Sequence, residues 1–335
     1  MRSFQPLFKN SHLATIAGNF WPRPESEQRW PVTDVFYEPE PGVQLLVRTQ
    51  TPANPVGELI LVHGLEGSSE SGYARSMAAA ALEAGHVVHR YNMRGCGGAP
   101  WHPKANYHSG QTGDLLHVAG ERKRASGLPL YAVGYSLGGN IVLKLAGELG
   151  ERGGDLFVGV CSVSAPIDLA ASVRATGELR NILYRRRFVA KLKERVRRRN
   201  RMAPDLFPLG PLAQVHSIYD FDDLYTAKIF GFGTADNYYR TQSSNQFLEH
   251  IRIPTLLVQA KDDPMVPFDM YSHHALERNT CLRLVTVEHG GHLGFLARSR
   301  PRFWLDALIV EWLSELQKAV QKRKRPDSRK SRALD

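Results

Sequence analysis

The chain has 335 residues, of which 42% are hydrophobic, and its formal net charge is +10. This length allows one large domain with an insertion, or two domains. The cysteines Cys96, Cys161 and Cys281 lie far apart, without the spacing of a disulfide framework or a zinc motif. The first residues lack the apolar core of a signal peptide, and no stretch reaches the ~20 apolar residues of a membrane span. We therefore expect a reducing, cytoplasmic setting.

The positive charge is concentrated in two segments. The stretch that begins at Arg174 and ends at Arg201 has twelve Lys or Arg residues against two acidic ones, and residues 318–335 have eight against two. The remainder of the chain is therefore net negative. Such charge runs are typical of a solvated helix face and a disordered tail. They can also attract anionic lipid or nucleic acid through phosphate groups.

The first third of the chain contains an arm, a hairpin and a buried strand. Residues 1–32 hold prolines and aromatic residues without clear periodicity, and we predict an N-terminal arm packed on the domain, with a helix start at 10–15. Two extended runs at 33–37 and 43–47 flank a turn with two prolines and a glycine, which predicts a β-hairpin. The apolar run at 58–62 suits a strand buried on both faces of a parallel sheet.

Strands and helices then alternate, which predicts an α/β fold with a mostly parallel, doubly wound sheet and right-handed crossovers. The later strands are predicted at 87–91, 130–133, 157–162, 255–260 and 282–287. The helices are predicted at 73–84, 114–124, 141–148 and 304–320. The alternation breaks between residues 167 and 251, whose helical composition predicts a cap over the carboxyl ends of the strands. Residues 33–320 thus form the predicted main domain with this cap as an insertion, and residues 321–335 a basic, disordered tail.

The most informative stretch is GYSLG at residues 134–138, which lies between a predicted strand and a predicted helix. This is the context that the G-x-S-x-G nucleophile elbow requires. The turn is so tight that a Cβ atom on either glycine would clash with neighbouring backbone. Ser136 is then forced into a strained conformation, with its hydroxyl exposed above the sheet. A Gly-rich loop that closes an ordinary βαβ unit is the alternative interpretation.

A serine nucleophile needs a histidine to accept its proton and an acid to orient that histidine. With this elbow the acid follows the serine in the chain, and the histidine comes last, each at a strand end. After the strand at 255–260 the chain offers Asp262 and Asp263. We predict Asp263, because an Asp followed by x-apolar-Val-Pro recurs at the acid position of hydrolases with this elbow. Asp262 stays the alternative.

The candidate base follows the strand at 282–287, where the chain reads EHGGHLGF. We predict His292, because the two glycines before it allow a loop to deliver its side chain over the sheet. His289 lies nearer the strand end and is predicted to be structural. His63 is the other notable histidine, since it ends a central strand beside the site.

The oxyanion of an acyl-transfer intermediate needs preorganised N–H donors. One donor comes from the residue after the nucleophile, Leu137, and the other from the loop that follows the first buried strand. In that loop we assign the donor to the N–H of Leu65. The Gly-rich run at 95–98 lacks the ending of a P-loop and the spacing of a dinucleotide fingerprint. No His, Cys or carboxylate set has metal-ligand spacing, so we predict neither a cofactor nor a metal.

These motifs together resemble the YheT-like branch of the α/β-hydrolases and are similar to the eukaryotic abhydrolase-domain lipases. The motifs that carry the resemblance are NSHLAT (10–15), VHGLEG (62–67), NMRGC (92–96), YHSG (107–110), GYSLGGN (134–140), FDD (221–223), DDP (262–264) and EHGGH (288–292). The resemblance implies an α/β-hydrolase fold and hydrolysis of short- or medium-chain acyl esters or acylglycerols. It also implies Ser136, Asp263 and His292 as the catalytic triad.

We therefore predict a serine carboxylic ester hydrolase that forms an acyl-enzyme on Ser136 and acts on a small-molecule or lipid ester. One alternative is an acyltransferase on the same triad that uses acyl-CoA or an alcohol, and another is a non-catalytic protein that binds anionic surfaces. The arginine density from Arg174 to Arg201 departs from the family pattern. It lies in the predicted cap, which leaves the substrate open. We expect peripheral contact with anionic membrane there, and no nucleic-acid partner.

Overall fold

The structure is a computed structural model that describes residues 3–324. Within this range the strands form one eight-stranded sheet in the order β1-β2-β4-β3-β5-β6-β7-β8. The strands are β1 Thr33–Glu40, β2 Val43–Gln50, β3 Gly57–Val62, β4 His86–Tyr91, β5 Leu130–Tyr135, β6 Gly159–Val163, β7 Thr255–Ala260 and β8 Leu282–Val287. The first hairpin and the β2–β4 pair are antiparallel, whereas all pairs from β3 to β8 are parallel. The predicted hairpin and mostly parallel sheet are confirmed.

Helices follow most of the parallel strands, as the alternation predicts. The α-helices are α1 Ser11–Phe20, α2 Gly72–Glu83, α3 Thr112–Ser126, α4 Leu137–Leu149, α5 Gly153–Leu156, α6 Leu169–Gly177, α7 Ile182–Asn200, α8 Ile218–Phe221, α9 Ala227–Ile229, α10 Ala235–Gln242, α11 Ala275–Arg278 and α12 Trp304–Lys324. Short 3-10 turns lie at Gly150–Arg152, Leu179–Asn181, Gly210–Gln214, Ser244–His250 and Phe268–Ser272, and a π-helical turn at Asp222–Thr226. Of the described helices, none is long and apolar enough to cross a membrane.

The core lies on both faces of the sheet, because side chains alternate along each strand. In β3, Ile60 and Val62 pack with α3 and α4 on one face, while Leu59 and Leu61 pack with α2 and α12 on the other. A strand covered on both faces needs apolar residues at successive positions. This requirement explains the uninterrupted apolar run from which the strand is predicted.

The stretch between β6 and β7 forms helices and turns with small hydrophobic clusters of its own. In the larger cluster, Leu192 and Val196 of α7 pack with Phe221 and Tyr225. A second cluster joins α6 to α10. The interpretation of residues 167–251 as a cap domain stays a prediction.

The helix start predicted at 10–15 is confirmed, whereas the last helix extends further than predicted. Helix α1 begins after Asn10, whose side chain caps it by accepting the N–H groups of His12 and Leu13. Helix α12 extends to Lys324, beyond the predicted end at Val320, because the Gln, Lys and Arg residues at 321–324 are good helix formers. The predicted tail therefore begins in helix, and from residue 325 onward it lies outside the described residues.

Candidate active site

Ser136 lies at the turn between β5 and α4, with φ +53° and ψ −122°. A non-glycine residue in this region is strained, as the elbow motif predicts. A Cβ atom on Gly134 would lie less than 3.0 Å from the Gly138 carbonyl, and one on Gly138 would lie equally close to the Val62 carbonyl. The two glycines are therefore required by close backbone approach. The Ser136 N–H donates to the Val163 carbonyl at 2.8 Å, which anchors the turn to β6.

A continuous chain of contacts joins the predicted nucleophile, base and acid. Ser136 Oγ lies 3.0 Å from His292 Nε2, and His292 Nδ1 lies 2.8 Å from Asp263 Oδ2. The other carboxylate oxygen of Asp263 accepts the N–H groups of Met265 and Val266 at 2.9 and 3.0 Å. These two amides orient the carboxylate toward the ring. A proton on Nδ1 leaves the Nε2 lone pair directed at the serine hydroxyl.

The alternative acid and the alternative histidine form a separate pair. Asp262 Oδ2 lies 3.3 Å from His289 Nδ1, and Asp262 Oδ1 accepts the N–H groups of Gly290 and Gly291 at 2.8 Å each. Asp262 therefore shapes the loop that leads to His292. The structure brings Asp263, and not Asp262, into contact with the histidine that reaches the serine.

The N-terminal helix α1 packs directly on the loop that carries His292. The Thr15 hydroxyl accepts the His292 N–H at 2.8 Å and donates to the Ser11 carbonyl at 2.7 Å. The approach is close, because a Cβ atom on Gly291 would lie less than 3.0 Å from both Ser11 and Thr15. The arm that the sequence predicts only as packing thus holds the backbone of the candidate base.

We expect Thr15→Val to lower kcat about tenfold, because a buried N–H that loses its acceptor costs ~1–3 kcal/mol and the histidine loop can then shift. The measurement is kcat and KM on p-nitrophenyl butyrate, together with the thermal unfolding midpoint. Thr15→Ser keeps the hydroxyl and should restore kcat, whereas Thr15→Ala should not. A lower midpoint with unchanged kcat in Thr15→Val would show that the residue only stabilises the fold.

The loop after β3 presents one free amide beside the nucleophile. The Gly64 N–H donates to the Tyr73 hydroxyl at 2.8 Å, and the Glu66 N–H donates to the Tyr107 hydroxyl at 3.1 Å. Between them, the Leu65 N–H has no acceptor within residues 3–324. The two tyrosines thus occupy the neighbouring amides and leave that of Leu65 for a ligand.

The second candidate donor is the amide of Leu137. This residue begins α4, and the first N–H groups of a helix have no acceptor within the helix. Leu137 and Leu65 line the same cavity as Ser136 and His292. The two predicted oxyanion donors are therefore both available beside the nucleophile, and their catalytic role stays a prediction.

His63 is buried at the end of β3 and holds the loop rather than serving as a second base. Its Nδ1 donates to the Gly64 carbonyl at 2.8 Å, and its Nε2 accepts the Met93 N–H at 3.2 Å. Because the Met93 amide can only donate, this pattern defines the tautomer of a neutral ring. Burial lowers the pKa of His63 to about 4, so the ring is neutral at pH 7.

Two cavities meet at Ser136 and His292. The apolar cavity, of about 90 Å³, extends under α6 and α7 and is lined by residues such as Leu169, Val173, Phe188, Leu192 and Val266. The mouth cavity, of about 220 Å³, opens along α1 and is lined by residues such as Ile16, Phe20, Tyr184 and Lys191. The nucleophile can therefore reach an ester with one half in each cavity. Within residues 3–324, no group of three His, Cys, Asp or Glu side chains is arranged to hold a metal ion.

Local sequence patterns do not indicate that Thr15, Tyr73 and Tyr107 contribute to the site. Thr15 contacts a residue 277 positions away in the chain, and Tyr107 one 41 positions away. No local pattern reports such contacts. The family resemblance is the signal that includes two of them, since Thr15 lies in its NSHLAT motif and Tyr107 in its YHSG motif.

Comparison with known proteins identifies the family to which this fold belongs. Residues 59–307 match the model of the Alpha/beta hydrolase family. YheT of Escherichia coli (strain K12), named as an esterase, is 34% identical over 319 residues, which are 92% of this chain and 91% of the relative. The monoacylglycerol lipase of Saccharomyces cerevisiae is 28% identical over 76% of this chain and 58% of the relative. The structure of the Pyrococcus furiosus esterase Pf2001 has a TM-score of 0.59 at 16% identity, over 88% of this chain and 98% of that chain.

These similarities define an enzyme of the carboxylic ester hydrolase class. The chain belongs to the alpha/beta hydrolase family, and its similarity to YheT spans nearly its whole length. The predicted fold class, family and enzyme class are confirmed. The non-catalytic alternative is not supported.

Proposed function

We propose that this enzyme hydrolyses short- to medium-chain acyl esters, including acylglycerols, through an acyl-enzyme on Ser136. The observation that carries the proposal is the chain of contacts from Ser136 Oγ through His292 to Asp263, at 3.0 and 2.8 Å. These distances lie within the range that proton transfer between a nucleophile and its base requires. The cytoplasmic location predicted from the sequence stays a prediction.

In the acylation half-reaction, His292 Nε2 accepts the hydroxyl proton of Ser136 while Oγ attacks the ester carbonyl carbon. The Asp263 carboxylate stabilises the imidazolium that results. The tetrahedral oxyanion accepts hydrogen bonds from the N–H groups of Leu65 and Leu137, and loss of one such donor typically costs ~10²–10³ in rate. His292 then gives its proton to the leaving alcohol, and the acyl group stays on Ser136.

Deacylation repeats these steps with water as the nucleophile. His292 Nε2 takes a proton from the water, whose oxygen attacks the acyl carbon. The second tetrahedral intermediate collapses, the proton passes from His292 to Ser136 Oγ, and the carboxylic acid leaves. The same histidine thus serves as base and acid in both halves, and the free enzyme is regenerated.

The apolar cavity supports a short or medium acyl chain as the acid half of the ester. Most of its lining side chains are aliphatic or aromatic, its volume is about 90 Å³, and Ser136 is part of its lining. The insertion supplies most of these side chains, so we propose that residues 167–251 act as a cap that selects the acyl group. A monoacylglycerol lipase among the relatives supports acylglycerols as one substrate class.

The test of the function is product analysis with a panel of p-nitrophenyl esters of increasing chain length. We expect the free carboxylic acid as the main product, with kcat/KM highest for short to medium chains. An added alcohol distinguishes the alternative, because an acyltransferase converts it into a new ester in preference to hydrolysis. No turnover of any ester would contradict the proposed function.

We also propose that the enzyme contacts anionic membranes through residues 174–201 and neighbouring apolar side chains. Leu179 and Leu183 are 82% and 70% exposed, and Phe20 of α1 is 69% exposed. The Arg187 guanidinium lies 6.0 Å from the Phe20 ring, so the two exposed groups are neighbours. Apolar side chains among cations favour the surface of anionic lipid.

Liposome flotation tests this contact with vesicles of neutral lipid and vesicles that also contain anionic lipid. We expect stronger binding to the anionic vesicles and a severalfold loss in Leu183→Glu, which opposes the anionic surface. Leu209→Glu is the matched control, because Leu209 is 47% exposed elsewhere in the insertion. Equal binding of wild type to neutral and anionic vesicles would contradict the proposal.

A further inference from the structure

A third cavity, of about 620 Å³, lies between α7 and the Gly-rich loop that follows β4. We call it the basic cavity. Residues 95–98 form one part of its lining, and α7 contributes Lys191, Arg195, Arg198 and Arg199. It adjoins the mouth cavity, since the two share the lining residues Glu66, Gly67, Ser71 and Lys191. A ligand that extends from Ser136 through the mouth cavity can therefore reach it.

The acidic side chains of the basic cavity are already paired with other cations. Glu66 Oε1 lies 2.7 Å from Arg195 Nη1. Glu70 Oε1 lies 2.8 Å from Arg48 and 3.1 Å from Arg90. Both carboxylates are neutralised by these ion pairs. Neither carboxylate therefore balances the charge of the remaining cations in the lining.

Arg199 is a buried cation without a counter-ion. It is 4% exposed, its guanidinium lies 5.4 Å from the centre of the Phe207 ring, and its Nη2 packs against Gly95. Within residues 3–324 it has neither a carboxylate partner nor a hydrogen-bond acceptor. Burial, and then the charge of Arg195, lower the pKa of Arg199 to about 10. Buried charges are normally paired, and an anion in the cavity would remove this electrostatic cost.

The Gly-rich loop brings backbone amides without acceptors to the wall of the same cavity. Gly97 and Gly98 have φ of +66° and +88°, the left-handed region that favours glycine, and both residues line the cavity. Neither N–H has an acceptor in the described part of the chain. The run lacks the sequence ending of a P-loop, but it lies opposite arginines that supply the positive charge.

We propose that the basic cavity binds a phosphate group carried by the alcohol half of the ester substrate. The proposal rests on the proposed function, because it places the acyl half in the apolar cavity and the alcohol half in the mouth cavity. Lys191, Arg198 and Arg199 line the cavity as three cations that have no carboxylate partner among residues 3–324. A phosphate monoester carries a charge of about −1.5 to −2 at pH 7. The planar guanidinium groups also match the geometry of phosphate oxygens.

The test compares dibutyryl glycerol 3-phosphate with neutral dibutyryl glycerol as soluble substrates. We expect Arg199→Gln to lower kcat/KM for the phosphate ester about tenfold, the loss of one charge-assisted contact, and to change the neutral ester less than about twofold. Arg197→Gln is the matched control, because it removes the same charge from an exposed position of α7 outside the cavity. Equal losses in the two variants would overturn the proposal, since they indicate only general attraction.

A binding measurement separates this proposal from the proposed function. Glycerol 3-phosphate and inorganic phosphate are titrated into wild type and Arg199→Gln by calorimetry, and the thermal midpoint is followed. We expect binding and a raised midpoint in wild type only. Phosphate binding without any ester turnover supports the site and contradicts the function. Binding of inorganic phosphate without preference for the phosphate ester assigns the cavity to free phosphate and overturns its substrate role, and no binding overturns the site.

Discussion

Ser136→Ala is expected to lower kcat for p-nitrophenyl butyrate by about 10⁴–10⁶-fold, with loss of labelling by a fluorophosphonate probe. The reason is that the substitution removes the Ser136 hydroxyl, whose oxygen lies 3.0 Å from His292 Nε2 and forms the acyl-enzyme in the proposed mechanism. Removal of a triad serine leaves only the rate supplied by the oxyanion donors and substrate binding. The rates and the labelling are measured on the same preparations of wild type and variant.

A second serine in the same cavity provides the control for this experiment. Ser172 lines the apolar cavity and its hydroxyl donates to the Met265 carbonyl at 2.8 Å. Ser172→Ala should keep its labelling and lose less than about tenfold in kcat, since it removes one hydrogen bond outside the reacting groups. Undiminished labelling of Ser136→Ala would show that the nucleophile lies elsewhere.

Asp263→Asn is expected to lower kcat by about 10⁴-fold with little change in the thermal midpoint. The Asn oxygen can still accept the amides of Met265 and Val266, so the loop is retained. Its amide nitrogen then faces His292 Nδ1 with a donor instead of an acceptor. The imidazole then adopts the tautomer with its proton on Nε2. In this tautomer Nε2 can no longer accept the proton of Ser136.

The neighbouring carboxylate gives a matched comparison one residue away. Asp262→Asn keeps an oxygen for the amides of Gly290 and Gly291, and it removes only the contact with His289. We expect less than about a tenfold loss of kcat, because His292 keeps its acid. If Asp262→Asn lost more activity than Asp263→Asn, the acid would have to be reassigned. Both variants are measured with the same ester across the pH range.

Most of the element order can be predicted from the sequence, because periodicity and composition act locally. The apolar run that became β3 and the GYSLG turn both reflect requirements of a few adjacent residues. The sequence pattern predicts the end of α12 too early, at Val320 instead of Lys324. A run of basic residues is compatible with an exposed helix face and with a disordered tail, and charge alone does not distinguish these two structures.

The basic stretch from Arg174 to Arg201 shows how tertiary packing divides residues of one type. Its composition predicts a solvated or membrane-facing helix, and Leu179 and Leu183 within it are exposed. Two of its arginines point inward instead. Arg195 pairs with Glu66, and Arg199 lines the basic cavity. Which face of α7 turns inward depends on the loops that pack against it, and those loops are distant in sequence.

The sequence by itself determined the α/β class, the family resemblance and the elbow at Ser136. The strand, turn and helix of this elbow are adjacent in the chain. Glycine is required at positions 134 and 138, because a Cβ atom at either position would clash with the backbone. Only the tertiary structure decided that His292 meets Asp263 while His289 meets Asp262, and that Thr15 holds the histidine loop. Side chains of adjacent residues point in different directions, so two neighbouring aspartates contact two different histidines. Both histidines lie on a loop that follows a different strand from the one before the aspartates, and no local sequence pattern predicts which aspartate each side chain will meet.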